Sequence, residues 1–367
     1  MLGPCVALLI LSFAISLPAT GILVTLGRRA GMLDGEGVLG HVKTDLRRVP
    51  NIGGIAITAG IVLPLLAIFA VAAGAPDLEI GFFPALAEHL EGVRDEWKAG
   101  AVLVGSILVL HVIGLYDDRR PLGPFPKLIV MLGVGALPPL LADTRLLEFL
   151  DPKVGSWASI TVTTLWIALI TNAMNFIDNR DGLCAGACVI AASAFLLAAF
   201  FGEQWFVAMS LALVVGAASG FLVFNLPPAK IFMGDGGSLV LGYTLAFLTV
   251  RTTYYDGTGG WYGVFMPLLV MAVPLYDFFS VTMIRLAQGK SPFVGDMQHL
   301  SHRLLGLGLS QRAMLAVVYA MTGATAIAGI ALQSLEGWRA ALVGAQGLLL
   351  LVVLGLLEFG VRRGAAR

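Results

Sequence analysis

Eleven apolar windows of roughly bilayer-spanning length follow one another along this chain, near 5–27, 51–73, 99–115, 125–142, 157–174, 183–202, 205–224, 236–250, 261–284, 313–334 and 340–360. In hydrocarbon every backbone N–H and C=O must be paired within its own segment, which leaves the helix as the form open to such runs. The expected fold is therefore all-α: a polytopic membrane protein with about 11 transmembrane helices, a single integral membrane domain over 1–367. With 58% hydrophobic and 13% charged residues the chain lies outside the soluble globular class. Its first window lacks the basic leader and small-residue cleavage site of a signal peptide and reads as a membrane helix. The zero net charge gives no global basic field that would argue for nucleic acid. Three cysteines do not make a disulfide framework, and Cys184 and Cys188, four apart, read as small packing residues on one helix face.

Basic residues orient the chain. Of its 23 Lys and Arg, 17 fall in 28–50, 116–127, 175–182, 225–236, 285–312 and the tail from 361, and 6 in the connections between them. The positive-inside rule puts the first set in the cytoplasm, the N-terminus outside and the C-terminus inside. The longest external segment, 74–100, mixes aromatics with charges and reads as an interfacial helix.

The dense polar clusters lie in those same cytoplasmic loops: 41–54, 114–127, 172–186, 225–238 and 285–312. Charge at a membrane boundary is costly unless solvated or functional, so loops converging on one face point to one site. Asp117 and Asp118 repel each other, and either a divalent cation or the nearby Arg119, Arg120 and Lys127 relieves them. Asp235 precedes Gly236 and Gly237, which let backbone approach a ligand where a helix amino end favours anions; the plainer alternative is an Asp N-cap. Asn175, Asp178 and Asp181 stand three apart and share one side of a helical turn, with capping as the alternative. His299 and His302, also three apart and beside Arg303, suit a phosphorylated ligand better than zinc, which needs more imidazole or thiolate ligands than are nearby. Acids that hold a hard cation, glycines at a helix start and basic side chains together suit phosphoryl transfer at a membrane surface.

In that order, GLYDDRR (114–120), NAMNFIDNRDGLCAG (172–186), NLPPAKIFMGDGGSLVLGY (225–243) and HLSHRLLGLGLSQR (299–312) resemble the signature segments of the polyprenyl-phosphate N-acetylhexosamine-1-phosphate transferases, over about 41–312. The resemblance implies an integral plasma-membrane enzyme with a cytoplasmic active site. It implies transfer of a sugar 1-phosphate, an N-acetylhexosamine 1-phosphate, from a UDP-sugar to polyprenyl (undecaprenyl) phosphate. Mg2+ is the implied cofactor, with Mn2+ as a substitute, UMP is released, and the product begins a lipid-linked cell-envelope glycan. It assigns catalysis to Asp117, Asp118, Asp178 and Asp181, metal binding to Asp235, Asn175 and Asp118, and substrate binding to Lys127, Asn172, Asn225, Phe232, His299, His302 and Arg303. Phe232 is the ring expected to stack on uracil. A homodimer is left open. Two departures stand out: Asn179-Arg180 replace a small uncharged pair, and Ser301 stands where the hexosamine branch carries another histidine. The alternatives are the phospho-muramyl-pentapeptide branch and, from another class, an ion-coupled transporter, whose acids would sit near the midplane on broken helices.

Overall fold

The computed structural model describes residues 2–32, 49–74, 90–254, 261–293 and 297–365. Its main elements are α1 (Leu2–Arg29), α2 (Gly54–Gly74), α3 (Trp97–Asp117), α4 (Pro124–Leu141), α5 (Ser156–Ile177), α6 (Leu183–Phe201), α7 (Trp205–Asn225), α8 (Asp235–Arg251), α9 (Met266–Val270), α10 (Ala272–Ala287), α11 (Leu300–Gly306), α12 (Gln311–Leu332) and α13 (Gly337–Ala365). The all-α expectation holds, and the chain is a polytopic membrane protein. Among the described residues nine helices are long and apolar enough to cross a membrane. The pair Tyr262–Val270 and Ala272–Ala287 is apolar enough as well but bent by 66°, the form of a broken span or a re-entrant loop. The remaining window falls on α8, whose 17 residues span about 25 Å, short of a hydrocarbon core of about 30 Å. Of the expected interfacial helix at 74–100, residues 75–89 lie outside the described residues; Leu90–Asp95 is a short helix.

Packing follows membrane rather than aqueous logic. On α1 the fully buried side chains are Ser12, Ser16 and Thr20, while Leu2, Ile10, Ile22 and Leu26 face outward. Apolar side chains gain little by leaving lipid, so small polar residues take the interface and bond across it. Ser12 donates to the carbonyls of Gly60 on α2 and Leu213 on α7, at 2.8 and 2.7 Å, and Ser16 donates to Ala217 at 2.7 Å.

At the centre stands α8, buried on every side from Gly236 to Val250. Its start is gripped from two directions. A Cβ on Gly114 of α3 would collide with the backbone of Asp235 and Gly236, and one on Gly54 of α2 would lie 2.5 Å from Gly237 N. These glycines let two helices touch the first turn of a third. A short parallel pairing of Asn51 with Phe232 adds to the grip, with Gly53 N donating to Phe232 O at 2.9 Å and Phe232 N to Pro50 O at 2.8 Å.

Candidate active site

At one end of the bundle the C-terminal ends of α3 and α5 meet the N-terminal ends of α4, α6 and α8. Because α3 ends at Asp117 and α8 begins at Asp235, two carboxylate-bearing termini face each other. Lys127, in the first turns of α4, lies between them: its Nζ is 2.9 Å from Asp117 Oδ2 and 2.8 Å from Asp235 Oδ2. Asp117 also accepts from Leu122 N at 2.7 Å, which fixes the turn leading into α4. From the end of α5, Asn175 Nδ2 donates to Asp235 Oδ1 at 3.0 Å and to Ser238 Oγ at 2.9 Å.

Asp118 has a different part. Its Oδ1 accepts from Asp235 N at 3.0 Å and from Asn51 Nδ2 at 3.0 Å, and its Oδ2 accepts from Gly236 N at 3.4 Å. It thus caps α8 from another helix, satisfying N–H groups that a helix start leaves orphaned. This corrects the N-cap alternative for Asp235: the N-cap is Gly234, the first N–H groups of α8 already hold a carboxylate, and Gly236 and Gly237 pack against neighbouring segments. Gly234 has φ +64, and a side chain there would strike Asp118 Oδ2.

The electrostatics of this end are compensated only in part, by Lys127. Burial, with the charge of Asp235 behind it, pushes Asp118 up to about 7 despite its three hydrogen bonds. Burial and the charges on Asp235, Asp118 and Asp181 raise Asp178 well above the usual carboxylate range. Four carboxylates, Asp117, Asp118, Asp178 and Asp235, share one space in which Lys127 is the cation in contact.

Other expected residues are engaged elsewhere. The helical turn that was to hold Asn175, Asp178 and Asp181 ends at Ile177, and Asp181 is buried, accepting from Ala229 N at 3.0 Å. Asn225 uses both ends of its amide on backbone: its Oδ1 accepts from Gly182 N and its Nδ2 donates to Ile231 O, each at 2.9 Å. These two residues staple the 178–182 turn to the 226–231 loop. Asn172 is half-buried on α5 one turn before Asn175, and Phe232 is half-buried with its backbone held by the 50–53 segment.

The histidine segment divides in the same way. His299 is buried, its Nδ1 2.8 Å from Asp277 Oδ2 and its ring edge-on to Phe176 at 5.6 Å. Asp277 also accepts from Leu300 N, at 2.5 Å, and so holds the start of α11. Arg303 points into protein: Nε lies 2.8 Å from Glu358 Oε2 on α13, and its other nitrogens donate to Gln298 O and Ser280 Oγ. This pair is nearly solvent-free and pins α11 to α13. His302 does face the 178–182 turn, where Arg180 donates to its Nδ1 at 3.0 Å. Sequence reasoning passed over Asp277, Glu358, Asn51 and His111, whose Nδ1 lies 2.8 Å from Gly236 O. Asp277, Glu358 and His111 carried a usable signal, a lone ionisable residue inside an apolar window, and Asn51 lay within the 41–54 polar cluster.

Comparison with known proteins matches the model of glycosyl transferase family 4 over residues 101–253. The chain is 34% identical over 296 residues to a Bacillus subtilis protein described as a probable undecaprenyl-phosphate N-acetylglucosaminyl 1-phosphate transferase, covering 79% of this chain and 75% of that one. It is 33% identical to the Mycobacterium tuberculosis decaprenyl-phosphate N-acetylglucosaminephosphotransferase, covering 76% of this chain and 70% of the relative. It also resembles a Desulforudis audaxviator phospho-N-acetylmuramoyl-pentapeptide-transferase, 33% identical over 208 residues, covering 50% of this chain and 60% of that one.

Proposed function

The chain belongs to glycosyl transferase family 4, and from that premise we propose that it transfers N-acetylhexosamine 1-phosphate from a UDP-sugar to polyprenyl phosphate at the cytoplasmic membrane face, releasing UMP. The observation that carries the reading is the Lys127-bridged cluster of Asp117, Asp235 and Asn175, with Asp118 and Asp178 beside it at the converging helix ends. Acids at helix ends on one face, rather than at the midplane, favour surface chemistry over ion-coupled transport. The coverage of the N-acetylglucosamine relatives, against half the chain for the muramyl-pentapeptide relative, favours a hexosamine donor.

In the reaction a lipid-phosphate oxygen attacks the β-phosphorus of the nucleotide sugar. The bond from that phosphorus to the bridging oxygen breaks, and the oxygen leaves with UMP. Lys127 offers the entering phosphate a cation at the mouth of α4. A phosphate monoester has a second pKa near 6, so the nucleophile is already largely ionised at neutral pH and Asp117 need not act as a strong base. Its contribution is to hold Lys127 and the 118–122 turn in place, since alignment is where much of the rate comes from.

The acid cluster suits a magnesium ion. Burial and mutual repulsion act against the carboxylate forms of Asp118 and Asp178, which is the imbalance a divalent cation relieves. Among the described residues no three acidic, imidazole or thiol side chains make a ready ion cage. Magnesium takes one or two carboxylates and fills its shell with substrate phosphates and water. Asp235 and Asn175, with Asp118 nearby, are the residues that would hold it. When bound, it supplies charge neutralisation on the diphosphate.

The purified protein in lipid nanodiscs, given undecaprenyl phosphate and a panel of UDP-sugars, should release UMP only when lipid phosphate and a divalent cation are both present. UMP formation independent of the lipid, or none with any UDP-sugar from folded protein, overturns the reading. Single cysteines in intact cells test the face: position 290 should resist an impermeant label that reaches 251–260.

A further inference from the structure

One acid in the last helix reaches α11. Between 340 and 357 α13 carries no charged residue, and Leu348, Leu349, Val352, Leu356 and Leu357 face outward. Glu358 follows, its side chain fully buried. An acid on so apolar a helix is costly unless it is used. Its Oε2 lies 2.8 Å from Arg303 Nε and accepts from Tyr276 OH at 3.2 Å, so one carboxylate joins α13, α11 and α10. Glu358 lies beyond the 101–253 of the family model and beyond the signature segments.

Arg303 is held in three directions. Besides facing Glu358 it donates to Gln298 O at 2.5 Å and to Ser280 Oγ at 2.8 Å, and its guanidinium lies 6.0 Å from the centre of the Tyr276 ring. A planar fork bonded on three sides fixes the direction of the helix that carries it, which an apolar contact of similar volume does not. That helix also meets the 178–182 turn: Ser301 Oγ donates to Asn179 Oδ1, and Arg180 donates to His302 Nδ1 at 3.0 Å. Consecutive residues of the turn meet consecutive residues of α11 in the same order, as a two-rung ladder that holds both departures from the family pattern. Asn179 adjoins Asp178 and is fixed in turn, its Nδ2 donating to Phe176 O at 2.7 Å. Contacts therefore run unbroken from Glu358 through Arg303 and α11 to the turn that carries Asp178.

We propose that Glu358 is a positioning residue for the transfer reaction: by orienting Arg303 it sets the register of α11 against the 178–182 turn, and with it the place of Asp178 in the acid cluster. This rests on the reading of the site as a sugar-phosphate transferase. It makes the last helix, which otherwise faces lipid, part of the active-site scaffold.

The test on full-length protein separates holding α11 from orienting it. Arg303→Met with Glu358→Leu should keep a thermal midpoint close to wild type. It should nevertheless lose about ten-fold or more in kcat/KM for the UDP-sugar, the scale of a small misplacement of reacting groups. The KM for polyprenyl phosphate should stay within about three-fold. Glu358→Asp keeps the charge and Arg303 but draws the carboxylate back by one methylene. It should show a similar loss in kcat/KM, and it decides the matter if the apolar pair does not fold. A readout independent of turnover comes from Asn179→Cys with Ser301→Cys, which should cross-link under a mild oxidant. Adding Glu358→Asp should slow that cross-linking about ten-fold. Wild-type kcat/KM in Glu358→Asp overturns the proposal, as does an unchanged cross-linking rate or a loss that falls equally on the KM for polyprenyl phosphate. Wild-type protein that turns over no UDP-sugar defeats the underlying reading instead, and the cross-linking rate then still decides whether Glu358 sets the register.

Discussion

Two regions at the same end of the bundle hold their charges in opposite ways. In the acid cluster Lys127 bridges Asp117 and Asp235, while burial and repulsion lift the neighbouring Asp118 and Asp178 out of the ordinary carboxylate range. In the histidine segment the buried polar groups have close partners: His299 has Asp277, and Arg303 has Glu358, with Tyr276 also donating to Glu358 at 3.2 Å. A cluster compensated only in part is poised to take up charge from outside the protein, whereas a compensated one is occupied with holding the chain. The first region is therefore where substrate and metal should act, and the second where they should be steered.

Substitutions can break this contrast, most severely in the cluster. Asp235→Asn keeps the shape, removes the charge that faces Lys127 and Asn175, and should lower turnover by about a thousand-fold or more, on the scale of losing a central electrostatic group. Thermal stability should be retained, because removing one of several crowded carboxylates relieves repulsion. Wild-type rates with unchanged magnesium dependence would remove Asp235 from the chemistry.

In the histidine segment the large effect should be on stability. Arg303→Ala leaves Glu358 buried and unpaired, a loss of about 3–5 kcal/mol measurable as a lower thermal or denaturant midpoint. Replacing both partners by apolar residues, Arg303→Met with Glu358→Leu, should recover most of it. If Arg303→Ala is as stable as wild type yet inactive, the arginine binds substrate after all and the contrast fails.

Smaller effects separate the residues along α11. His302→Ala should lose about ten-fold to a hundred-fold in kcat/KM, as for a charge-assisted hydrogen bond. His299→Ala should lose activity on the same scale and also stability, since Asp277 is left without its imidazole. Ser301→Ala removes a neutral bond to Asn179 and should cost well under ten-fold, within about 1 kcal/mol. Steady-state kinetics on the three variants gives the order; Ser301→Ala as damaging as His302→Ala would make the ladder itself part of the substrate site.

Much of this was legible one residue at a time. Apolar length alone specifies a helical membrane protein, because hydrocarbon admits no other backbone arrangement for isolated runs. The motifs around Asp117, Asp178, Asp235 and His302 mark the polar end, since charge beside lipid is rare without use. Partnership was not legible, because it depends on which helix ends meet. That Asp118 also caps α8, across 117 residues, shows only in the fold. Asn225 and Asp181 looked like cleft-lining groups and staple two loops together. Arg303 looked like an anion binder and is buried against an acid from the last helix. Composition and periodicity determine which groups lie at the membrane boundary. Only the close approach of α2 and α3 to the first turn of α8, at Gly54 and Gly114, decides which of those groups are already satisfied and which are left charged for a ligand.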